Sequence, residues 1–261
     1  MRPNKRSPDG LRPVKIIPDY LDFASGSALI TTGKTKVIAT ATLEEKVPHF
    51  LRGSGSGWIT AEYAMLPCST EERTNRERNH GRLSGRTQEI QRLIGRSLRT
   101  STDLFALGER TIIVDCDVIQ ADGGTRSASI TAGCVALACV LNNMLENKIL
   151  EEMPLKHLVG ATSVGIVKGE LLLDLDYFED SNADIDMNVV MNDSGQMIEI
   201  QATAEKSPFS KKDFDKLLAL ADKGIKELIQ IQKAVLKTKS LLFMAYGSGP
   251  EEEGKEEGDN T

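Results

Sequence analysis

The chain has 261 residues, of which 40% are hydrophobic and 27% charged, with a formal net charge of −6. These proportions are those of an ordinary globule of one large or two small domains. No uncharged apolar run approaches the ~18 residues of a membrane span, and the polar opening M-R-P-N-K-R-S-P-D-G lacks the apolar core of a secretory signal. Cys68, Cys116, Cys134 and Cys139 form no C-x-x-C pair and have no histidine at metal spacing. Cys116, Cys134 and Cys139 sit in apolar runs and read as buried reduced thiols, and the expectation is a cytoplasmic protein with no membrane partner.

Val14 to Ile17 has strand character. Ser25 to Thr31 and Lys34 to Thr42 predict a hairpin turning at Thr32-Gly33. A glycine-rich loop, Arg52 to Gly57, leads into a strand from Trp58 to Leu66 that Pro67 ends. Glu72 to Ser84 is polar enough to be an exposed loop. Thr87 to Leu107 places Ile90, Leu93, Ile94, Leu98, Leu104 and Phe105 at helical spacing, which predicts one amphipathic helix closed by Gly108. The same window gathers Arg73, Arg76, Arg78, Arg82, Arg86, Arg92, Arg96 and Arg99. Such a patch either binds a polyanion or is a solvated face laced with salt bridges. The acidic total does not exclude the first. The tail from Glu251 to Thr261 sets six acids against Lys255 and reads as disordered, leaving a body near neutrality.

Thr111 to Ile119 is a largely apolar run, Gln120 to Gly124 a polar turn, and Ser127 to Leu141 a long run without charge. That order predicts strand, glycine turn and helix, the helix continuing to about Asn147. Gly123, Gly124, Thr125 and Arg126 fall where the helix begins. Free backbone N–H groups and the positive end of the helix dipole favour an anion there, and Arg126 adds a planar charged fork suited to phosphate. The alternative is a tight turn in which Asp122 or Thr125 caps the helix. Neither G-x-x-x-x-G-K-[ST] nor G-x-G-x-x-G is present, so nucleotide hydrolysis and dinucleotide binding have no support.

Val159 to Lys168 and Glu170 to Leu175 predict a second hairpin at Lys168-Gly169. Ala183 to Met191 and Gln196 to Ala202 predict a third at Asp193-Ser194-Gly195, and Lys211 to Leu236 a closing helix. Strands, helices, more strands and a final helix imply an α+β layered domain with much antiparallel pairing. Between these elements lie Asp174, Asp176, Glu179, Asp180, Asp184 and Asp186. Asp184 and Asp186 share a face if they lie in a strand, and Asp180 would fold back onto them from a loop. The cluster either binds a metal such as Mg²⁺ or is a solvent-facing acidic loop. Glu199 and Glu205 are candidate additions to it. Trp58 and Tyr63 either stack on bases or pack in the core.

A phosphate turn, an arginine-rich loop and a carboxylate cluster are equipment for a phosphodiester chain. At this point the chain resembles the ribonuclease PH family. The carrying motifs are R-S-P-D-G-L-R-P-V near the start, G-W-I-T-A-E-Y-A-M-L-P at 57–67, G-R-T-Q-E-I-Q-R-L-I-G-R at 85–96, G-E-R-T-I-I-V-D-C-D-V-I-Q-A-D-G-G-T-R at 108–126, and E-D-S-N-A-D-I-D-M-N-V-V-M at 179–191. The resemblance runs collinearly to about Leu236.

It implies a ribosomal-protein-S5 domain-2-like α/β sandwich spanning 1–240, followed by an extension, 241–261, with no family role. It also implies phosphorolysis of RNA 3′ ends, tRNA precursors above all, with inorganic phosphate as co-substrate. By the same resemblance, phosphate is held by Arg86, Gly124, Thr125 and Arg126. Asp180 and Asp186 act as the essential acids through Mg²⁺, while Asp184 is demoted. Arg73 and Arg76 hold the tRNA stem, and six subunits form a trimer of dimers. The alternatives are a non-catalytic RNA-binding subunit of an exosome-like ring and one half of a polynucleotide phosphorylase. Two departures stand out. Cys68 follows L-P where relatives often carry arginine, and Q-A-T-A-E at 201–205 replaces a glycine-bearing form.

Overall fold

A computed structural model describes residues 2, 5–77, 81–206 and 208–238. Arg78, part of the Glu72–Ser84 loop, and the 241–261 extension lie outside the described residues. Five strands, β1 (Val14–Pro18), β2 (Gly26–Thr32), β3 (Thr35–Glu44), β4 (Trp58–Met65) and β5 (Thr111–Gln120), form one sheet in the order β1-β2-β3-β5-β4. Its pairings are antiparallel except β4 with β5, which run parallel. A parallel pair needs a crossover, and α1 (Gly85–Thr100) and α2 (Leu104–Leu107) supply it. The first hairpin turns at Gly33-Lys34, one residue later than expected, because Thr32 pairs directly with Thr35.

The single helix expected over Thr87 to Leu107 is two helices. Ser101 ends α1, and the Asp103 carboxylate accepts the Phe105 and Ala106 amides at 3.0 Å each to start α2. Between them Thr102 bridges to Leu155. Two local polar interactions and one distant backbone pairing therefore outweigh a continuous apolar spacing.

The helix after the glycine turn, α3 (Thr125–Glu146), is apolar on all sides and sits between the two sheets. By length and composition it matches a membrane span, with mean hydropathy 1.6, but 89% of that window is buried inside the protein, as a core helix is. Close approach is possible because small residues face it. A Cβ on Gly26 of β2 would lie 2.3 Å from the Ala136 carbonyl oxygen. The second sheet, ordered β7-β6-β8-β9, contains β6 (Val159–Val167), β7 (Glu170–Leu173), β8 (Ile185–Asn192) and β9 (Met197–Ala204), all antiparallel. A six-residue helix, α4 (Tyr177–Asn182), leads into β8, and α5 (Lys211–Thr238) covers β6 and β8.

One apolar core runs from Ile16 to Leu236 through both sheets. Leu98 of α1 is fully buried, and its methyl group lies 3.6 Å from where a Cβ of Gly133 on α3 would stand. Leu98→Ala should therefore lower stability by about 3–5 kcal/mol in a urea titration, the cost of a cavity between two helices that cannot collapse. A change under about 1 kcal/mol would mean that the packing of α1 on α3 matters little.

Candidate active site

The glycine turn is built from two residues with left-handed backbones, Gly123 at φ 74° and Gly124 at φ 67°. Gly124 is the N-cap of α3, and no side chain caps that helix. The alternative of a cap by Asp122 or Thr125 is thus not what the chain does. Thr125 Oγ1 instead meets the Tyr63 hydroxyl at 2.9 Å, which fixes Tyr63 as a buried anchor and not as a base-stacking surface. The first amides of a long helix are left without side-chain partners, which is the condition for anion binding.

Arg126 Nη1 donates to the Gln201 side-chain oxygen Oε1 at 2.8 Å and to Glu89 at 3.4 Å. Arg86 is exposed on the first turn of α1. Both arginines act on the same groups. Burial raises the Tyr63 pKa while Arg86 and Arg126 oppose it, and the same two arginines oppose the rise that burial imposes on Asp180.

The acidic cluster divides. Asp176 caps α4 in a capping box with Glu179. Asp180 is therefore on a helix and not in the expected loop. Asp184 turns to Lys206 at 2.8 Å. Asp174 and Glu179 turn inward to arginines. Asp180 and Asp186 remain opposite Arg126. Asp180 is open to solvent along α4, yet enough protein surrounds its carboxyl to raise its pKa. Burial, and then the Asp180 charge, push Asp186 up to about 6. Glu205 also acts on both, whereas Glu199 is held by Arg96 at 2.7 Å and Gln201 at 3.1 Å. Asp186 Oδ1 is buried with no hydrogen-bond partner. Among the described residues no group of three or more His, Cys, Asp or Glu side chains is arranged for a metal. Mg²⁺ asks only for one or two carboxylates plus water, so the Asp180–Asp186 pair with its orphaned oxygen fits that ion.

The remaining arginines separate by environment. Arg96 is paired with Glu199, and Arg99 donates to the Ile59 carbonyl at 2.7 Å while lying 4.2 Å over the Trp58 ring. The salt-bridged alternative therefore holds for part of the window. Arg73 and Arg76 stand exposed in the loop before α1. That loop is rooted beside the glycine turn, since the Ala121 amide donates to the Ser69 carbonyl at 2.8 Å. Neither departure disturbs the frame. Cys68 is exposed, and β9 keeps its register through Ala202, opposite Met187.

Reasoning from sequence missed a buried arginine–carboxylate lattice behind the turn. Arg12 donates through its backbone amide and side chain to the Asp174 carboxylate, at 2.7 to 2.9 Å. Arg2 grips both oxygens of Glu179 at 2.6 Å, and Arg6 bridges Asp174 and Glu179 at 3.1 Å each. Burial alone would raise the Asp174 pKa, but Arg12 outweighs it and holds the carboxyl below its ordinary value. The only local signal was a charged motif near the start whose partners lie more than 160 residues away.

The chain matches the 3′ exoribonuclease family, domain 1, over residues 10–141 and domain 2 of the same family over 157–224. A ribonuclease PH of Syntrophomonas wolfei subsp. wolfei (strain DSM 2245B / Goettingen) is 57% identical over 235 residues, which span 90% of this chain and 98% of the relative. The chain belongs to the 3′ exoribonuclease family. Solved structures share the 3′ exoribonuclease fold. Rice (Oryza sativa) Rrp46 superposes with a TM-score of 0.73 at 21% identity, over 90% of this chain and all of that one. An Archaeoglobus fulgidus exosome chain, solved with RNA bound to the active site, gives 0.74 at 24% identity, over 88% of this chain and 91% of that one. At such identities these two speak for the fold alone.

Proposed function

We infer that the chain is a phosphate-dependent 3′-to-5′ exoribonuclease. Inorganic phosphate attacks the phosphorus of the last phosphodiester of an RNA. The bond to the 3′ oxygen of the preceding nucleotide breaks, that oxygen takes a proton, and a nucleoside diphosphate departs. The reverse reaction extends the RNA. The observation that carries this reading is the opposition of an uncapped helix end and two arginines to two mutually repelling carboxylates.

In this reading Arg86, Arg126 and the amides of Gly124 and Thr125 hold the nucleophilic phosphate and offset its charge. Asp180 and Asp186 would hold Mg²⁺, which when bound supplies stabilisation of charge on the scissile phosphate and the departing oxygen. Exposed Arg73 and Arg76 take the backbone of a tRNA precursor, a contact of charge and shape. A hexamer is the proposed assembly. Phe23, Phe50 and Phe105, all exposed in the single chain, suit subunit faces. The core shared by both sheets supports treating 1–240 as one catalytic unit. A non-catalytic ring subunit would need neither the paired carboxylates nor the arginines that face them.

Arg126→Ala tests the reading. The kcat/KM for phosphate should fall about 10²–10³-fold, the loss expected for one charged donor aimed at the reacting group, while RNA binding persists. The measurement is diphosphate release from an RNA with a 3′ overhang across a phosphate titration. Equal RNA shortening without phosphate would mean hydrolysis and end the phosphorolytic reading.

A further inference from the structure

Arg12, 4% exposed, and Thr35, fully buried, lie immediately behind the glycine turn. Both hold its carbonyls. Arg12 Nη1 donates to the Asp122 carbonyl and Nη2 to that of Gly123 at 3.4 Å. The Thr35 hydroxyl donates to the Gly123 carbonyl at 2.7 Å and accepts the Asp122 amide at 2.9 Å. In a planar trans peptide the C=O and the following N–H point in opposite directions. Drawing the Gly123 carbonyl inward therefore sends the Gly124 N–H outward. Two consecutive glycines have little intrinsic resistance to rotating that peptide, and half a turn would replace a donor with a carbonyl oxygen. An oxygen at that place repels an anion. The direction of the amide is thus set by the groups that grip the carbonyl.

The other edge of Arg12 holds Asp174, and the chain continues from Asp174 through Leu175 to the α4 cap at Asp176. Gly123 packs on this same backbone, since a Cβ there would lie 2.6 Å from the Leu175 oxygen and the Asp176 carbonyl carbon. One guanidinium therefore fixes both the turn and the root of the helix that carries Asp180. Five donors in a rigid plane allow this, and an ammonium cannot reproduce it.

Building on the reading of the turn as the phosphate seat, we propose that Arg12 and Thr35 are positioning residues for phosphorolysis. They aim the turn's amides at the phosphate and hold that seat in register with Asp180. The test compares Arg12→Lys, Thr35→Val and Thr35→Ser with Arg126→Ala, measuring phosphate KM, kcat, RNA affinity and Tm. Arg12→Lys and Thr35→Val should each raise the phosphate KM about 10–100-fold while RNA affinity stays within about twofold, the scale of an ångström misplacement. Thr35→Ser, which keeps the hydroxyl, should restore the phosphate KM. If Arg12→Lys does not fold, the Thr35 pair decides alone. A raised KM in Arg126→Ala beside a wild-type KM in Arg12→Lys and Thr35→Val, with only Tm lowered, would overturn the proposal. A wild-type phosphate KM in Arg126→Ala would place the seat elsewhere and remove the proposal together with the reading beneath it.

Discussion

Gly123→Ala should cost about 3 kcal/mol of stability and roughly 10²-fold in turnover. Two penalties add. A left-handed backbone at φ 74° strains any residue with a Cβ, by about 1 kcal/mol. The new methyl would also stand 2.6 Å from the Leu175 oxygen and the Asp176 carbonyl carbon and 2.8 Å from the Tyr177 nitrogen. These are backbone atoms, so relief requires the turn and the entry to α4 to part. That movement separates the proposed phosphate seat from Asp180. For a domain of this size, about 3 kcal/mol lowers Tm by roughly 6–12 °C. Gly195→Ala is the control. Gly195 has φ 77° in the β8–β9 turn, but nothing lies within 4 Å of a Cβ there. It should lose about 1 kcal/mol and keep its activity. Equal activity losses in both variants, or in neither, would contradict the contact as the link between turn and helix.

Asp186→Asn should abolish turnover and stabilise the fold in metal-free buffer. The carboxylate is buried, repelled by Asp180, and has one oxygen without a partner. Its pKa, raised to about 6, lies above the ordinary aspartate value. As pH rises, the unfolded chain gives up this proton first, so ionisation favours unfolding. The group contributes nothing unfavourable at low pH; its penalty grows from about pH 4 and is complete above about pH 6. Asparagine keeps the shape and an acceptor for Asn188, which now donates to Asp186 at 3.2 Å. The gain at neutral pH should be on the order of 2 kcal/mol. Thermal melts with a chelator should show the variant above the wild type, and Mg²⁺ should raise only the wild type. Activity should fall by at least about 10³-fold if the carboxylate acts on the reacting phosphate. A variant less stable than the wild type in chelator would show that the carboxylate is structurally favourable.

Local patterns made most elements legible. The three hairpins carried turn residues between apolar runs, and the apolar run, glycine turn and uncharged run over 111–141 marked β5 and α3. The break between α1 and α2 was not legible, because Asp103 caps α2 inside a spacing that fits one helix. The capping box Asp176–Glu179 was a missed signal for α4, hidden by reading its acids as one cluster. The division of that cluster could not be read locally. Asp174 and Glu179 answer to Arg2, Arg6 and Arg12, 162 to 177 residues away, and only the completed chain decides which carboxylates are neutralised and which are left to act.

The proposed site is drawn from two sheets. The glycine turn belongs to β5 and α3, and the carboxylates to α4 and β8. On the ribosome the first part is synthesised before the second exists. Roughly 60 residues separate Arg126 from Asp186, about 3–12 s of elongation at 5–20 residues per second. For most of that interval the nascent chain carries Arg86, Arg126 and the glycine turn but neither Asp180 nor Asp186, the carboxylates proposed to face them. If the site is as proposed, it stays incomplete until the second sheet has formed against α3.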